Sequence, residues 1–531
     1  MMKTIPIGPF LGINNRLPDF SLAINGKGFY LRGAENVEID NAGQARRRAA
    51  ANIIQALSNP HSLFMVSDTA GYLVRGGTIY AITLPAYSES AVKALSNNDS
   101  VSWIEFNGDV FYSNGADSGR ITGGVVYPLG LPTPDPPSVT SIVGTLFAGA
   151  YQVAISYKNA TTGEEGGVSA STNHDLAADG GLRITLPSGP FGATHVNVYV
   201  STVNGGSPLL AATVPSGVVT VDVTTEATGM PASERYEQPL PAGTRIFMFN
   251  GRLCSVKDKT LYYCVPHRLG YMQVDEIEDG RIEFPENISV AIGNQMGLYV
   301  VADKTYFFQG TDLGAIELVR DVLPYGAVPG TEFRLPNKPV VGWFGEKGIV
   351  VGDIQGQVSE LMADAIDQTP PASGVSFVVQ GRGYRRVVSC GWCVNVESGA
   401  TTQYTNYPVT SASRGYCTAS GGVYVIEGTG AIDAYVDLGK HDFGSENMKR
   451  LPACYLGVES EAPMELRVTT PDYEDYRYEA RSCGAAMRIQ RADPGKGLCA
   501  NWYSLSIHNT EGSDFTLASV SFAPVASGRR I

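Results

Sequence analysis

Charge is what this chain has little of. Only 17% of its 531 residues are Asp, Glu, Lys or Arg, against about 25% in an average soluble protein. The 52 acidic and 39 basic residues leave a formal charge of −13, which argues against a protein that wraps nucleic acid by releasing counterions from phosphates. A wall past which DNA slides without sticking stays compatible. Long apolar runs are missing as well, so no transmembrane helix is expected. Pro6, Gly8 and Pro9 interrupt the start before a signal-peptide core forms, and a protein soluble where it is made is the expectation. Eight cysteines are few for 531 residues, which points to reduced thiols and a fold held by its core.

What the chain has is turn chemistry, with 61 glycines, and short runs of alternating apolar residues in place of helical spacing. The expected class is all-β. Asn107-Gly108 between the apolar runs of residues 104–112, and Asn250-Gly251 within 247–253, are the strongest short hairpin signal, because both residues accept the positive φ of a type I′ turn. Related units lie at 72–80, 298–308, 343–351 and 416–426. Each small sheet must bury its faces against the next, and only a ring leaves no bare face, so a β-propeller is the natural solution. A set of unrelated sandwiches would show similar hairpins without closure.

The proline-rich stretch 131–137 reads as a stiff linker and a boundary. After it come strictly alternating strands around Tyr157, Ile184, Tyr199 and Val221, with neither cysteine nor tryptophan, which excludes an immunoglobulin-type disulfide core. The turn 162–167 and the strand around Tyr199 resemble fibronectin type III-like modules. From about residue 433 the strands lengthen, either closing the propeller or forming a separate sandwich. The expected division is therefore 1–134 propeller, 135–228 inserted fibronectin III-like sandwich, 229–432 propeller, and 433–531 a C-terminal β-rich region.

Catalytic signatures are missing: no Gly-x-Ser-x-Gly elbow, His-Glu-x-x-His, Walker loop or EF-hand run. Six histidines are scattered without an i, i+4 pair and read as solvent-facing or capping. Cys390-Gly391-Trp392-Cys393 has redox spacing, but its flanks read as strand instead of the helix N-terminus that would activate a thiolate. Cys254 and Cys264 read as reduced core thiols. Residues 114–120 hold part of an Asp-box and read as a plain Asx turn. The carboxylates of 471–476 read as a solvated loop entering a strand, not as an acid/base pair. Three basic points remain: Arg46-Arg47-Arg48, the segment 381–386 with Arg385 and Arg386, and Arg529-Arg530. They suit either salt bridges to acidic neighbouring blades or subunits, or docking onto a partner or phosphate. Arg46, Arg47, Arg48, Arg385 and Arg386 are the interface candidates. No catalytic residue, metal or cofactor is nominated, and enzyme activity is not expected.

The segments 10–19 and 31–43, with the arginine run after them, look like the start of bacteriophage tail proteins. Residues 297–312, 327–331 and 348–356 and the ending 495–515 add to the likeness. Together they resemble the tail-tube nozzle family of short-tailed phages, a β-propeller with inserted domains. The resemblance implies a virion component made in the host cytoplasm, usually six copies in a ring. Its implied partners are tail adaptor or connector proteins, tail fibres, and phage DNA passing the lumen without specific binding. Contact with the host cell surface is a further option. Few charges suit large subunit interfaces, and an acidic wall suits DNA passage. The alternatives are a glycan-binding or glycan-cleaving phage tail protein and a hub or distal component of a long tail. An outward insert predicts that deleting roughly 138–225 leaves assembly intact.

Overall fold

The computed structural model describes residues 4–24, 26–233, 236–274, 279–316, 318–481, 484–495 and 497–527. Among them, seven four-stranded antiparallel blades follow one another along the chain, six as separate sheets and one, blade 6, as the first four strands of a nine-stranded sheet. Each is a meander whose turns use the expected chemistry: Asn107 and Gly108 have φ of 53° and 84°, and Asn250 and Gly251 have 44° and 81°. Blade 1 runs from His61–Met65 to Ser88–Ala94, blade 2 from Ser102–Phe106 to Val125–Pro128, and blade 3 from Arg245–Phe249 to Arg281–Glu283. Blade 4 runs from Val290–Gly293 to Leu318–Leu323, blade 5 from Phe333–Arg334 to Val358–Glu360, and blade 6 from Ser376–Gly381 to Thr401–Gln403. Blade 7 begins with Ser411–Ser413 and takes its outermost strand from far upstream: Ala50–Ala56 pairs with Gly422–Gly428.

The blades form a closed β-propeller. Most neighbouring first strands touch around the axis, blade 4 meets blade 5 through Val341–Gly345, and the last blade meets the first. Small hydroxyls stitch several of these contacts: Ser62 Oγ accepts from Val101 N at 2.8 Å, Ser411 Oγ from Leu63 N at 2.7 Å, and Ser102 Oγ from Ile246 N at 3.1 Å. Between blades lie separate apolar layers, such as Val74 with Tyr112 between blades 1 and 2, and Tyr299 with Trp343 between 4 and 5. At the closure Val423 packs with Leu63 and Leu73. The closing pair also needs its glycine. Gly422 has φ of 152°, and a Cβ there would lie 2.1 Å from the Gln55 carbonyl oxygen.

The two chain ends build a β-sandwich beside the ring. One sheet orders Gly484–Ala492, Cys454–Ser460, Phe515–Phe522, Ala45–Arg47 and Val37–Ile39, with Ile5–Ile7 also on Phe515–Phe522. The other contains Gly33–Glu35, Tyr435–His441, Tyr503–His508, Glu465–Thr469 and Asp475–Glu479, and continues through Gln403 paired with Glu35 into blade 6. Its core, including Val436, Leu456, Leu466 and Leu517, merges with Phe344 and Ile349 of blade 5 and Val387 of blade 6. This corrects the expectation that residues 1–134 open the propeller. Ile5–Ile7, Gly33–Glu35, Val37–Ile39 and Ala45–Arg47 belong to the sandwich, while Phe10–Ile13, Ala23–Ile24 and Gly28–Leu31 form a small sheet of their own. The ring is closed by 50–56, and of the two alternatives for the C-terminal region it is the sandwich that forms. Short alternating strands carry no local mark of which sheet they join.

The insert between blades 2 and 3 is a seven-stranded sandwich of fibronectin III-like type, with three strands in one sheet and four in the other. Its core is aliphatic and tyrosine-rich, including Tyr151, Val198 and Leu182. It is docked at its base. Glu164 meets Arg120 of blade 2 at 3.1 Å and accepts from the Tyr271 hydroxyl at 2.8 Å, while Arg268 donates to the Glu165 carbonyl at 2.8 Å. Among the described residues no helix is long and apolar enough to cross a membrane.

Two histidines expected at the surface, His441 and His508, are half-buried in the sandwich. His441 stacks between Phe29 at 5.4 Å and Phe443 at 5.6 Å, and its Nε2 donates to the Leu438 carbonyl at 3.1 Å. Burial pushes its pKa down to about 4. Above pH ~6.5 the ring is neutral in both folded and unfolded chains. As pH falls from there towards 4, the unfolded chain takes up a proton that the folded chain refuses, so stability drops across that window. His441→Phe, which keeps the stack, is expected to shrink the loss of stability between pH 7 and pH 4 by up to about 3 kcal/mol, measured by urea unfolding at each pH.

Candidate functional site

Three places in the molecule concentrate unusual chemistry: a buried charge cluster, an open sheet edge and a cavity at the propeller axis. The cluster begins with Glu38, placed between Val37 and Ile39 in a strand all of whose residues are buried. A carboxylate there must be paired, because an isolated buried charge costs several kcal/mol. Arg386 of blade 6, 1% exposed, forms an ion pair with Glu38, 2% exposed. Glu38 also accepts from the Tyr404 hydroxyl at 2.7 Å, the Tyr384 hydroxyl at 3.2 Å and Arg382 at 3.3 Å. The second arm of Arg386 reaches Glu427 of blade 7 at 2.9 Å. Burial opposes the Arg386 charge, but Glu38, Tyr404 and Glu427 outweigh it and raise its pKa. Burial likewise holds the Tyr404 hydroxyl protonated. The result is a clasp joining sandwich, blade 6 and blade 7.

Arg48 extends the same clasp. Its Nε donates to Asn36 Oδ1 at 2.8 Å and its Nη2 to the Thr405 carbonyl at 3.2 Å, while the guanidinium lies 4.6 Å from the Tyr407 ring centroid. Arg47 is buried and donates to the Gly430 carbonyl at 2.7 Å. These contacts correct the interface assignment for Arg47, Arg48 and Arg386: buried within one chain, they do not reach a second. Arg385 is half-buried and grips Glu397 at 2.7 Å. Arg46 is half-buried, 3.7 Å from Asp514. Arg529 and Arg530 lie outside the described residues. Glu38 carried no sequence signal as a partner, because the arginines it meets are more than 340 positions away.

The other chemical candidates resolve into structure. Cys390 and Gly391 form a hairpin turn with φ of 52° and 81°, and Cys393 is a buried thiol whose pKa burial pushes up to about 12. Cys254 and Cys264 are both free and buried. Asn114 Oδ1 accepts from Asp117 N at 2.7 Å, which is an Asx turn. Among the described residues no group of three or more His, Cys, Asp or Glu is placed to hold a metal ion.

The open edge is the nine-residue strand Gly484–Ala492, last in its sheet. Among the described residues its outer side takes only the bridge of Arg491 to Arg481. Ile489 is 72% exposed and Met487, on the same face, 46%. Edge strands are normally short, bulged or shielded, because an unpaired ladder recruits another chain. A second apolar spot lies at the end of the insert away from the ring, where Val143 is 94% and Phe147 61% exposed.

The cavity has a volume of about 540 Å³ and is walled by the first strands of blades 5, 6 and 7, including Arg334, Val378, Gln380 and Ser413. Across the axis, Arg245 of blade 3 forms an ion pair with Glu332 before blade 5. Sequence reasoning missed these residues, since only ring closure brings them together.

No family model matches the chain, and no curated protein matches it. Among solved structures, the chain is similar to one in the mitotic checkpoint complex, at 8% identity over 72% of this chain and 94% of that one, with a TM-score of 0.30. It is also similar to YCF48 bound to D1 peptide, at 11% identity, 65% and 92% coverage and a TM-score of 0.26. A third is BBS1N in complex with ARL6DN, soaked with lead, at 9% identity, 67% and 96% coverage and a TM-score of 0.27. The propeller assignment rests on the strand order and closure described above.

Arg386→Met takes from Glu38 its buried ion-pair partner, leaving only the more exposed Arg382 at 3.3 Å, and is expected to lower stability by about 3 kcal/mol. The double variant Glu38→Leu with Arg386→Met is expected to recover part of that loss, because no uncompensated buried charge remains. Urea unfolding of the three proteins measures both effects.

Proposed function

We propose that this chain is a non-enzymatic structural protein of a phage virion, a tail-tube or nozzle subunit that assembles into a ring at the distal end of the tail. Copies of the chain, usually six in the family it resembles, surround the path of the DNA, which passes without specific binding. Adaptor proteins and tail fibres dock on the outside. The observation that carries the reading is the open strand Gly484–Ala492, with Met487 and Ile489 facing solvent. A long edge strand that exposes apolar side chains beside Arg488 and Arg491 is a liability in a monomer and an assembly element in a multimer. The low charge content agrees, since the cores of subunit interfaces are depleted of charge. The insert, docked at its base and apolar at its free end, suits outer contacts with fibres or a cell surface.

Two measurements test this. Electron microscopy of virus particles labelled with antibody against the protein is expected to place label at the distal tip of the tail. Label on side fibres, or none on particles, overturns the proposal. In solution, Ile489→Lys is expected to convert assembled protein to monomer in light scattering without lowering its melting temperature by more than a degree or two. Unchanged assembly removes the edge from the argument.

A further inference from the structure

The cavity at the axis holds one charge that the chain does not match. Glu332 is taken by Arg245, and Glu427 by Arg386. Arg414 lies 3.7 Å from Asp68 and donates to the Met65 carbonyl at 3.1 Å. Arg334 has no hydrogen-bond or ion-pair partner among the described residues. It is solvent-exposed on the wall of a recess that lies open between three blades, where partial desolvation and the nearby Arg245 charge hold its guanidinium below the usual value. An unmatched exposed arginine is ordinary by itself; this one stands on the wall of a concave recess whose other charged lining residues, Glu332, Glu427 and Arg414, are already paired. The Nε of Arg245, whose charge acts on Arg334, is buried without a partner.

The rest of the wall has the mixture that small-ligand sites use. Gln380 and Ser413 offer polar groups, while Val378, Ala412 and Ile426 offer an apolar face. A volume of about 540 Å³ lies within the ~300–1,000 Å³ of such sites. We propose that this cavity binds a small organic oxyanion, with Arg334 gripping a carboxylate or phosphate and the apolar wall covering the carbon skeleton. Guanidinium is the group suited to this, because its planar fork matches two oxygens of such a head at once. The ligand is a small acidic organic molecule. Its head group could come from a uronic-acid carboxylate or from a phosphate ester, and the inference stands independently of the tail assignment.

The test is calorimetric titration of the full chain with glucuronate, with inorganic phosphate, and with glucose as the neutral control. Saturable binding of glucuronate, phosphate or both, weakened at least about tenfold by Arg334→Gln, is the expected result; which of the two binds identifies the source of the head group. Arg334→Lys is expected to bind with intermediate strength, since it keeps the charge and loses the fork. Melting temperatures of both variants report folding, and Gln380→Trp, which narrows the cavity without touching Arg334, is expected to weaken binding too. Absence of saturable anion binding, equal binding by Arg334→Gln, or equal binding of glucose overturns the proposal.

Discussion

Everything in this molecule depends on the pairing of Ala50–Ala56 with Gly422–Gly428. A four-stranded blade is apolar on both faces, so a row of blades is stable only when the first and last also find a neighbour. Blade 7 has three strands of its own, and the fourth comes from a segment more than 360 positions upstream. Closure therefore commits the N-terminal region to the far end of the chain, and residues before 50 are drawn to the C-terminal strands, where they complete a sandwich. The ring and the sandwich are two outcomes of one long-range pairing.

The buried charges follow from that arrangement. Where the chain crosses from sandwich to ring, strands from three units converge, and their polar side chains lose water together. Glu38 with Arg386, and Arg48 with Asn36 and the tyrosine rings, are the means by which this junction satisfies itself. A junction of this kind adds specificity of register more than net stability, since a buried ion pair barely repays its desolvation. It explains why an arginine run that looks like an outward patch in the sequence points inward in the fold.

Local features were legible and distant ones were not. The Asn-Gly turns, the proline boundary at 131–137 and the Asx turn at Asn114 are decided within a few residues, and the structure has them where the sequence places them. The radial array was legible from hairpin spacing alone. The membership of 5–47 was not, because a three-residue strand such as Val37–Ile39 looks the same in any sheet. Nor were Glu38 or Arg334 legible as partners or lining residues. Neither lies in a motif, and both acquire their roles only when blades far apart in sequence meet.

The position of the appendages on the ring ties these points together. The insert docks on blades 2 and 3 through Arg120, Tyr271 and Arg268, whereas the sandwich shares its core with blades 5 and 6. In a ring of seven these attachments face opposite sides, so a partner on the exposed end of the insert and one on the open edge of the sandwich do not compete for space. The propeller between them is a rigid spacer, because each blade is packed on both faces. Contacts made at Phe147 and at Ile489 are thus held at a fixed separation. One chain can then be bound at the sandwich edge while presenting its insert outwards, which is what the proposed ring assembly asks of a subunit.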